Sequence, residues 1–355
     1  MTSLALHASG LALRALAQSL LAVTGPSFAP DVILRVCVVG SGVLELVAVS
    51  LAVWLLAQTV RRGPPLQARK GLRPVLPFFL TSFGALWLAL VVNLIGLLSM
   101  VEQGQTLVAE QADRLTRHLA LYGFLVPVAI AMAERTFPLF LRTRLSNLDL
   151  LRGGLLLLAA GLILRLAADS TGLHGVGGLG KLETGVALLL FVLASGIFAP
   201  RRPLPRQPVR VLSDPIQWHV ISAYVWLAAS ALLLLVQGFA DVRGEVMLAE
   251  DDAERHLLGA GFVTLLILGA GAYLLPGFAR RPLRGHALLW ATLVLANLAV
   301  VLRTAPLLLQ AVFSASTSAA LLSVAGLCGL LAVLLFGFNI SWAGVAPRRF
   351  TEPTD

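Results

Sequence analysis

The stretch Arg255-His256-Leu-Leu-Gly-Ala-Gly261-Phe262, running on to Tyr273-Leu-Leu-Pro276-Gly-Phe278, decides how the chain is read. It opens on a histidine, has a Gly-Phe pair just below, and ends on a proline before a basic turn. The residues between are apolar or small, so the stretch reads as a membrane helix. Arg117-His118-Leu-Ala-Leu-Tyr-Gly123-Phe124, running on to Pro138-Leu-Phe140, is the same pattern 138 positions earlier. The offset also places Pro77 on Pro215 and Arg165 on Arg303. Five identities at one offset mark a duplication rather than chance.

Composition agrees with a membrane protein. The 355 residues are 58% hydrophobic and only 13% charged, with mean hydropathy +0.87. A soluble core cannot hide that much apolar surface, whereas a bilayer can. Runs of roughly 20 apolar residues span a hydrocarbon core. They predict an all-α polytopic chain of about ten helices, near 3–24, 33–58, 75–100, 116–141, 149–168, 182–199, 215–238, 255–278, 285–304 and 315–342. The first run lacks a charged start and a small-residue cleavage site and carries Arg14, so it reads as a helix and not as a leader.

The net charge of +9 is an orientation signal. Arg61, Arg62, Arg69, Lys70 and Arg73 follow the second helix, Arg142, Arg144 and Arg152 the fourth, and Arg201, Arg202, Arg206 and Arg210 the sixth. Arg280, Arg281 and Arg284 follow the eighth, and Arg348 and Arg349 the tenth. The alternate loops are acidic: Glu102, Glu110 and Asp113; Asp169 and Glu183; Asp241, Glu245, Glu250, Asp251, Asp252 and Glu254. This alternation places both termini on the cytoplasmic side of the membrane and argues against a nucleic-acid partner. Cys37 and Cys328 lie within apolar helices and read as small packing residues.

The domain reading follows the repeat. Residues 1–58 form a helix pair around a Gly-Pro-Ser turn, 74–200 and 212–342 are two four-helix repeats, and 343–355 is a cytoplasmic tail. An even helix number inserts both repeats in parallel, related by an axis along the membrane normal. Leu13-Arg14 resembles Leu164-Arg165 and Leu302-Arg303, so the N-terminal pair reads as the back half of a third copy in a twelve-helix plan.

His118 and His256 are the leading site residues. The repeat axis puts them at equal depth, facing one cleft. A neutral imidazole ligates haem iron, copper or zinc. The Gly five residues later removes a side chain where a flat macrocycle would approach; the plainer reading is close helix packing. Arg165 and Arg303 are cations for haem propionates or simply snorkel to the interface. Glu45, Glu134 and Arg135 are further polar groups at membrane depth, where charge is costly and marks function. Glu134 and Arg135 point to different sides of their helix, and the second repeat has Ala272-Tyr273 there. His219 has no repeat partner, because Thr81 takes its place; His7, His174 and His286 read as solvated. Tryptophans 218, 226, 290 and 342 read as packing or interface anchors.

The pattern of histidine, Gly-Phe, proline and basic turn resembles the haem-copper oxidase superfamily, and within it the NnrS family. Glu134-Arg135-Thr-Phe-Pro138-Leu-Phe140 is similar to that family's Gly-Gly-Arg-Val-Ile-Pro-x-Phe stretch, and the Leu-Arg pairs at Arg14, Arg165 and Arg303 to its Leu-x-x-Arg-Leu-Ala helix end. The resemblance implies an inner-membrane protein of the nitric oxide or nitrosative-stress response, with haem b or copper held by His118 and His256. Departures are specific. The family's His-x-His is Glu254-Arg255-His256 here, its Gly-His-Thr-Gly-Arg ending is Pro276-Gly-Phe-Ala-Arg280, and its first His-bearing helix has no counterpart. The oxidases' adjacent histidine pair is also lacking, which counts against an oxygen or nitric oxide reductase. Two other classes suit the residues. One is a cofactor-free transporter or channel using Glu45, Glu134 and Arg135; the other is a scaffold subunit that binds a partner subunit or a second copy.

Overall fold

In the computed structural model, residues 2–24, 31–63, 71–202, 213–245 and 248–341 are described. The Gly-Pro-Ser turn, Arg69, Lys70, Arg206, Arg210, Trp342, Arg348, Arg349 and the tail 343–355 lie outside them. The described residues form ten helices long and apolar enough to cross a membrane. These are α1 Thr2–Thr24, α2 Asp31–Arg62, α3 Leu76–Glu102, α4 Glu110–Phe140, α5 Leu148–Thr171, α6 His174–Ser195, α7 Pro215–Val242, α9 His286–Leu308 and α10 Ala315–Ile340, with α8 built from Leu248–His256, Leu257–Thr264 and Leu265–Ala279. No strand occurs among them, as expected where lipid satisfies no backbone group. Large apolar side chains such as Leu327, Leu330 and Leu334 on α10 stay exposed, which suits a lipid-facing surface.

Local sequence sets the helix starts. Pro215 takes the first turn of α7, and Asp214 before it accepts from the Ile216 amide at 3.0 Å. Ser314 caps α10 in the same way, accepting from the Thr317 amide at 3.2 Å. Asn147 accepts from the amides of Asp149 and Leu150 at the start of α5.

Two features differ from the sequence reading. α4, α6 and α8 begin earlier than expected, at Glu110, His174 and Leu248. Hydropathy is blind to such polar or glycine-rich starts; in α4 and α8 their acidic residues suit a helix N-terminus. His118 and His256 therefore stand inside their helices and not at their starts. Moreover, α4 and α8 are not α-helical throughout. A π-helical segment follows each histidine directly, Leu119–Leu125 and Leu257–Thr264. In α8 the Thr264 hydroxyl donates to the Gly259 carbonyl at 2.9 Å, five residues back.

The 138-residue offset recurs at two helix ends. Arg142 and Arg280, again at the 138-residue offset, are the only described non-glycine residues with positive φ, 56° and 51°. Arg280 caps α8 in the left-handed conformation. A side chain there costs about 1 kcal/mol relative to glycine. Arg280→Gly is therefore expected to raise stability by up to about 1 kcal/mol, read as a later midpoint in detergent unfolding.

The helices pack as two units, Met1–Arg135 with Leu158–Gly180, and Thr136–Leu157 with Lys181–Asp355. The first has a core of Ala17, Leu21, Val38, Leu97 and Met100. In it α1 meets α2 at Gly10, where an added Cβ would lie 3.0 Å from Glu45 Cγ. The second is centred on the fully buried Tyr224, whose ring meets Phe262 edge-on at 5.6 Å. Arg202 closes its basic end, donating to the Pro138 carbonyl at 2.7 Å. Outside the spans, Arg201 donates to the Ile197 carbonyl at 2.7 Å, and burial pulls its guanidinium below its ordinary range.

Candidate functional site

His118 and His256 each sit at the last α-helical residue before a π segment. Such segments frequently accompany functional sites. In the first unit, His118 Nδ1 lies 2.8 Å from Asp169 Oδ2 and its Nε2 lies 3.0 Å from Arg165 Nη2. In the second, His256 Nδ1 lies 2.7 Å from the Asp252 carbonyl and its Nε2 3.1 Å from Arg303 Nε. Arginine only donates, and a carboxylate or carbonyl only accepts. Both imidazoles are therefore neutral, with the proton on Nδ1 and the Nε2 lone pair facing a guanidinium.

The two networks share histidine and arginine but not the acid. Asp169 comes from the last turn of α5, four residues after Arg165. Arg114 approaches it at 3.6 Å, and the Gln111 amide donates to its backbone carbonyl at 3.0 Å. Asp252 comes from α8 itself, four residues before His256, and binds Arg303 at 3.1 Å. The positions equivalent to Asp169 and Asp252 are Leu307 and Arg114. The repeats thus conserve the base and the cation and supply the counter-charge by different routes. Sequence reading took both aspartates for loop acids. The signal that could have found them is their four-residue spacing from Arg165 and His256, one helical turn.

Burial also differs. Arg165 is 4% exposed and stacks over the Tyr122 ring with its guanidinium carbon 4.4 Å from the centroid. It does not snorkel. The Arg303 side chain is 35% exposed. The other candidates are not gathered here. Glu45 is buried in α2, beside α1. Glu134 is partly buried and Arg135 exposed, so the carboxylate is the inward member of that pair. His174 and His286 are exposed as expected, but His7 is half-buried within α1 and its Nδ1 is shielded from solvent.

A family model for NnrS proteins matches residues 6–348, nearly the whole chain. The chain belongs to the NnrS family. A search of curated proteins gives no match.

The resemblance to NnrS and the oxidases implies haem or copper on the histidines, and the geometry tests that. A metal needs the Nε2 lone pair, since Nδ1 carries the proton; in both units that lone pair already accepts from arginine. The glycines do not open room for a macrocycle either. A Cβ on Gly123 would lie 2.5 Å from Ala85 Cβ, and one on Gly261 2.7 Å from Trp226 Cβ. Both gaps are filled by the neighbouring helix, α3 or α7. Among the described residues, no three His, Cys, Asp or Glu side chains are grouped to hold a metal ion. As placed, the residues of this NnrS-family chain do not fit haem b or copper on His118 and His256.

Proposed function

We propose that the protein serves the nitric oxide or nitrosative-stress response from a bacterial inner membrane, with both termini cytoplasmic, and that its working groups are the two His–Arg pairs. Membership of the NnrS family supports the physiological setting. The observation that carries the site is the repetition of one imidazole–guanidinium pair, each directly ahead of a π segment, in both units. Each pair has two chemical states. A neutral imidazole accepts from arginine; an imidazole protonated on Nε2 has no lone pair left and repels the cation. Proton uptake thus parts the histidine from its arginine, and the Nδ1 acceptor, the Asp169 carboxylate in the first unit and the Asp252 carbonyl in the second, then holds the imidazolium. The pair is a proton-sensitive latch between the helix bearing the histidine and the helix bearing the arginine.

The test is complementation of a deletion strain challenged with a nitric oxide donor. The wild-type chain is expected to restore growth. The His118→Ala, His256→Ala double variant is expected to fail although it reaches the membrane at normal abundance. Full rescue by that variant, or no growth defect in the deletion, would overturn the reading. Purified protein, expressed with ample haem, is expected to show no stoichiometric Soret band. A haem b band that disappears in the double variant would restore the histidines as ligands.

A second reading is a cofactor-free transporter or channel, and one observation favours it. Glu45 is buried at membrane depth in α2, and its Oε1 has no hydrogen-bond partner among the described residues. Charge is kept in such a place where a solute or proton uses it. This reading predicts a counterflow activity in proteoliposomes that Glu45→Gln abolishes.

A further inference from the structure

α7 carries a polar feature separate from the His–Arg pairs. His219, Ser230 and Gln237 are each 0% exposed. They are 11 and 7 residues apart, close to three and two turns of about 3.6 residues, so they fall on one line along the helix. His219 Nδ1 donates to the Pro215 carbonyl at 2.7 Å, which leaves Nε2 as an acceptor. That Nε2, Ser230 Oγ and both amide atoms of Gln237 have no hydrogen-bond partner among the described residues.

Leaving a buried polar group unpaired costs about 1–3 kcal/mol. Four such atoms would use up much of the roughly 5–15 kcal/mol that holds a folded protein together. The fold does not demand them. The equivalent residues of α3 are Thr81, Val92 and Ser99, and Thr81 satisfies itself on the Pro77 carbonyl at 2.7 Å. One copy of the duplicated helix therefore does without the line that the other keeps.

α8 packs closely against α7 at His219: a Cβ on Gly269 would lie 2.9 Å from His219 Cβ. No charged side chain stands between His219 and Gln237 on α7. One turn beyond Gln237, Asp241 binds Lys181 at 3.0 Å, and Lys181 also binds Asp251 at 3.0 Å, so the line ends at a charged cluster. We infer that α7 holds bound water at His219, Ser230 and Gln237. Water matches every group there, donating to His219 Nε2 and Gln237 Oε1, accepting from Gln237 Nε2, and doing either with Ser230. These waters would hydrate the interior of the second unit.

The test is hydroxyl-radical footprinting by radiolysis of the full chain in lipid nanodiscs, read at Leu234. This side chain is 0% exposed and lies on the turn between Ser230 and Gln237. Expected is oxidation of Leu234 despite its burial, slowed severalfold in Gln237→Leu. No oxidation in the wild type, or an unchanged rate in Gln237→Leu, overturns the proposal. Ser230→Ala gives a milder second check. If water is bound there, the variant melts earlier. If the line is dry, removing an unpaired hydroxyl leaves melting unchanged or raises it, which also overturns the proposal.

Discussion

Arg165→Met is expected to lower stability by about 3–5 kcal/mol, the range for stripping one partner from a buried charged network. Arg165 is 4% exposed, lies over Tyr122 and donates to His118 at 3.0 Å. Methionine retains the length of the apolar stem and removes the cation. It strands the His118 Nε2 lone pair and leaves Asp169 with Arg114 at 3.6 Å as its remaining arginine. The equivalent change, Arg303→Met, is expected to cost under about 1 kcal/mol, because solvent-screened pairs are worth little. Arg303 and Asp252 are 35% and 31% exposed in their side chains. Unfolding in mixed micelles compares the two variants directly. Equal losses would mean that repeat position, and not burial, sets the energy of the pair.

Gly123→Ala is the second large effect, at about 1–3 kcal/mol of overpacking. The new Cβ would meet Ala85 Cβ at 2.5 Å and Leu162 Cδ2 at 3.3 Å. The leucine can rotate, whereas the alanine can yield only by moving the α3 backbone. Adding Ala85→Gly removes the obstructing atom and leaves the Ala85 Cα at 3.8 Å. The double variant is therefore expected to recover most of the loss, short of the roughly 0.5–1 kcal/mol that glycine costs inside a helix. A double variant no more stable than Gly123→Ala would show that the π segment itself, and not the contact with Ala85, requires glycine. Gly261→Ala offers no such remedy, since its Cβ meets Trp226 Cβ and Cγ at 2.7 and 2.8 Å.

The site was half legible. His118, His256, Arg165 and Arg303 stood out because the 138-residue offset repeats them, and repetition filters out incidental polar residues. Their carboxylates were not legible as a class, because Asp169 and Asp252 occupy non-equivalent positions. The glycines were read as room for a cofactor or for a helix, and which of these held depended on Ala85 and Trp226, residues that no local pattern ties to them. Ser230 and Gln237 drew no attention, since single polar residues in an apolar run lower hydropathy only slightly.

The sequence by itself determined that the chain is helical, that it has ten segments able to cross a membrane, and that one pattern of residues recurs at an offset of 138. These properties are local or periodic: apolar length, capping residues and a constant offset are all carried by the order of residues. Even the left-handed arginines at 142 and 280 fall on that offset. Only the tertiary structure decided which partner each polar group has. It turned Nε2 of both histidines toward arginine, drew one acid from α5 and the other from α8, buried Arg165 while leaving Arg303 a third exposed, and aligned His219, Ser230 and Gln237 on the packed side of α7. Hydrogen bonds depend on separations of a few tenths of an ångström between helices distant in sequence, and no spacing along a single chain encodes those.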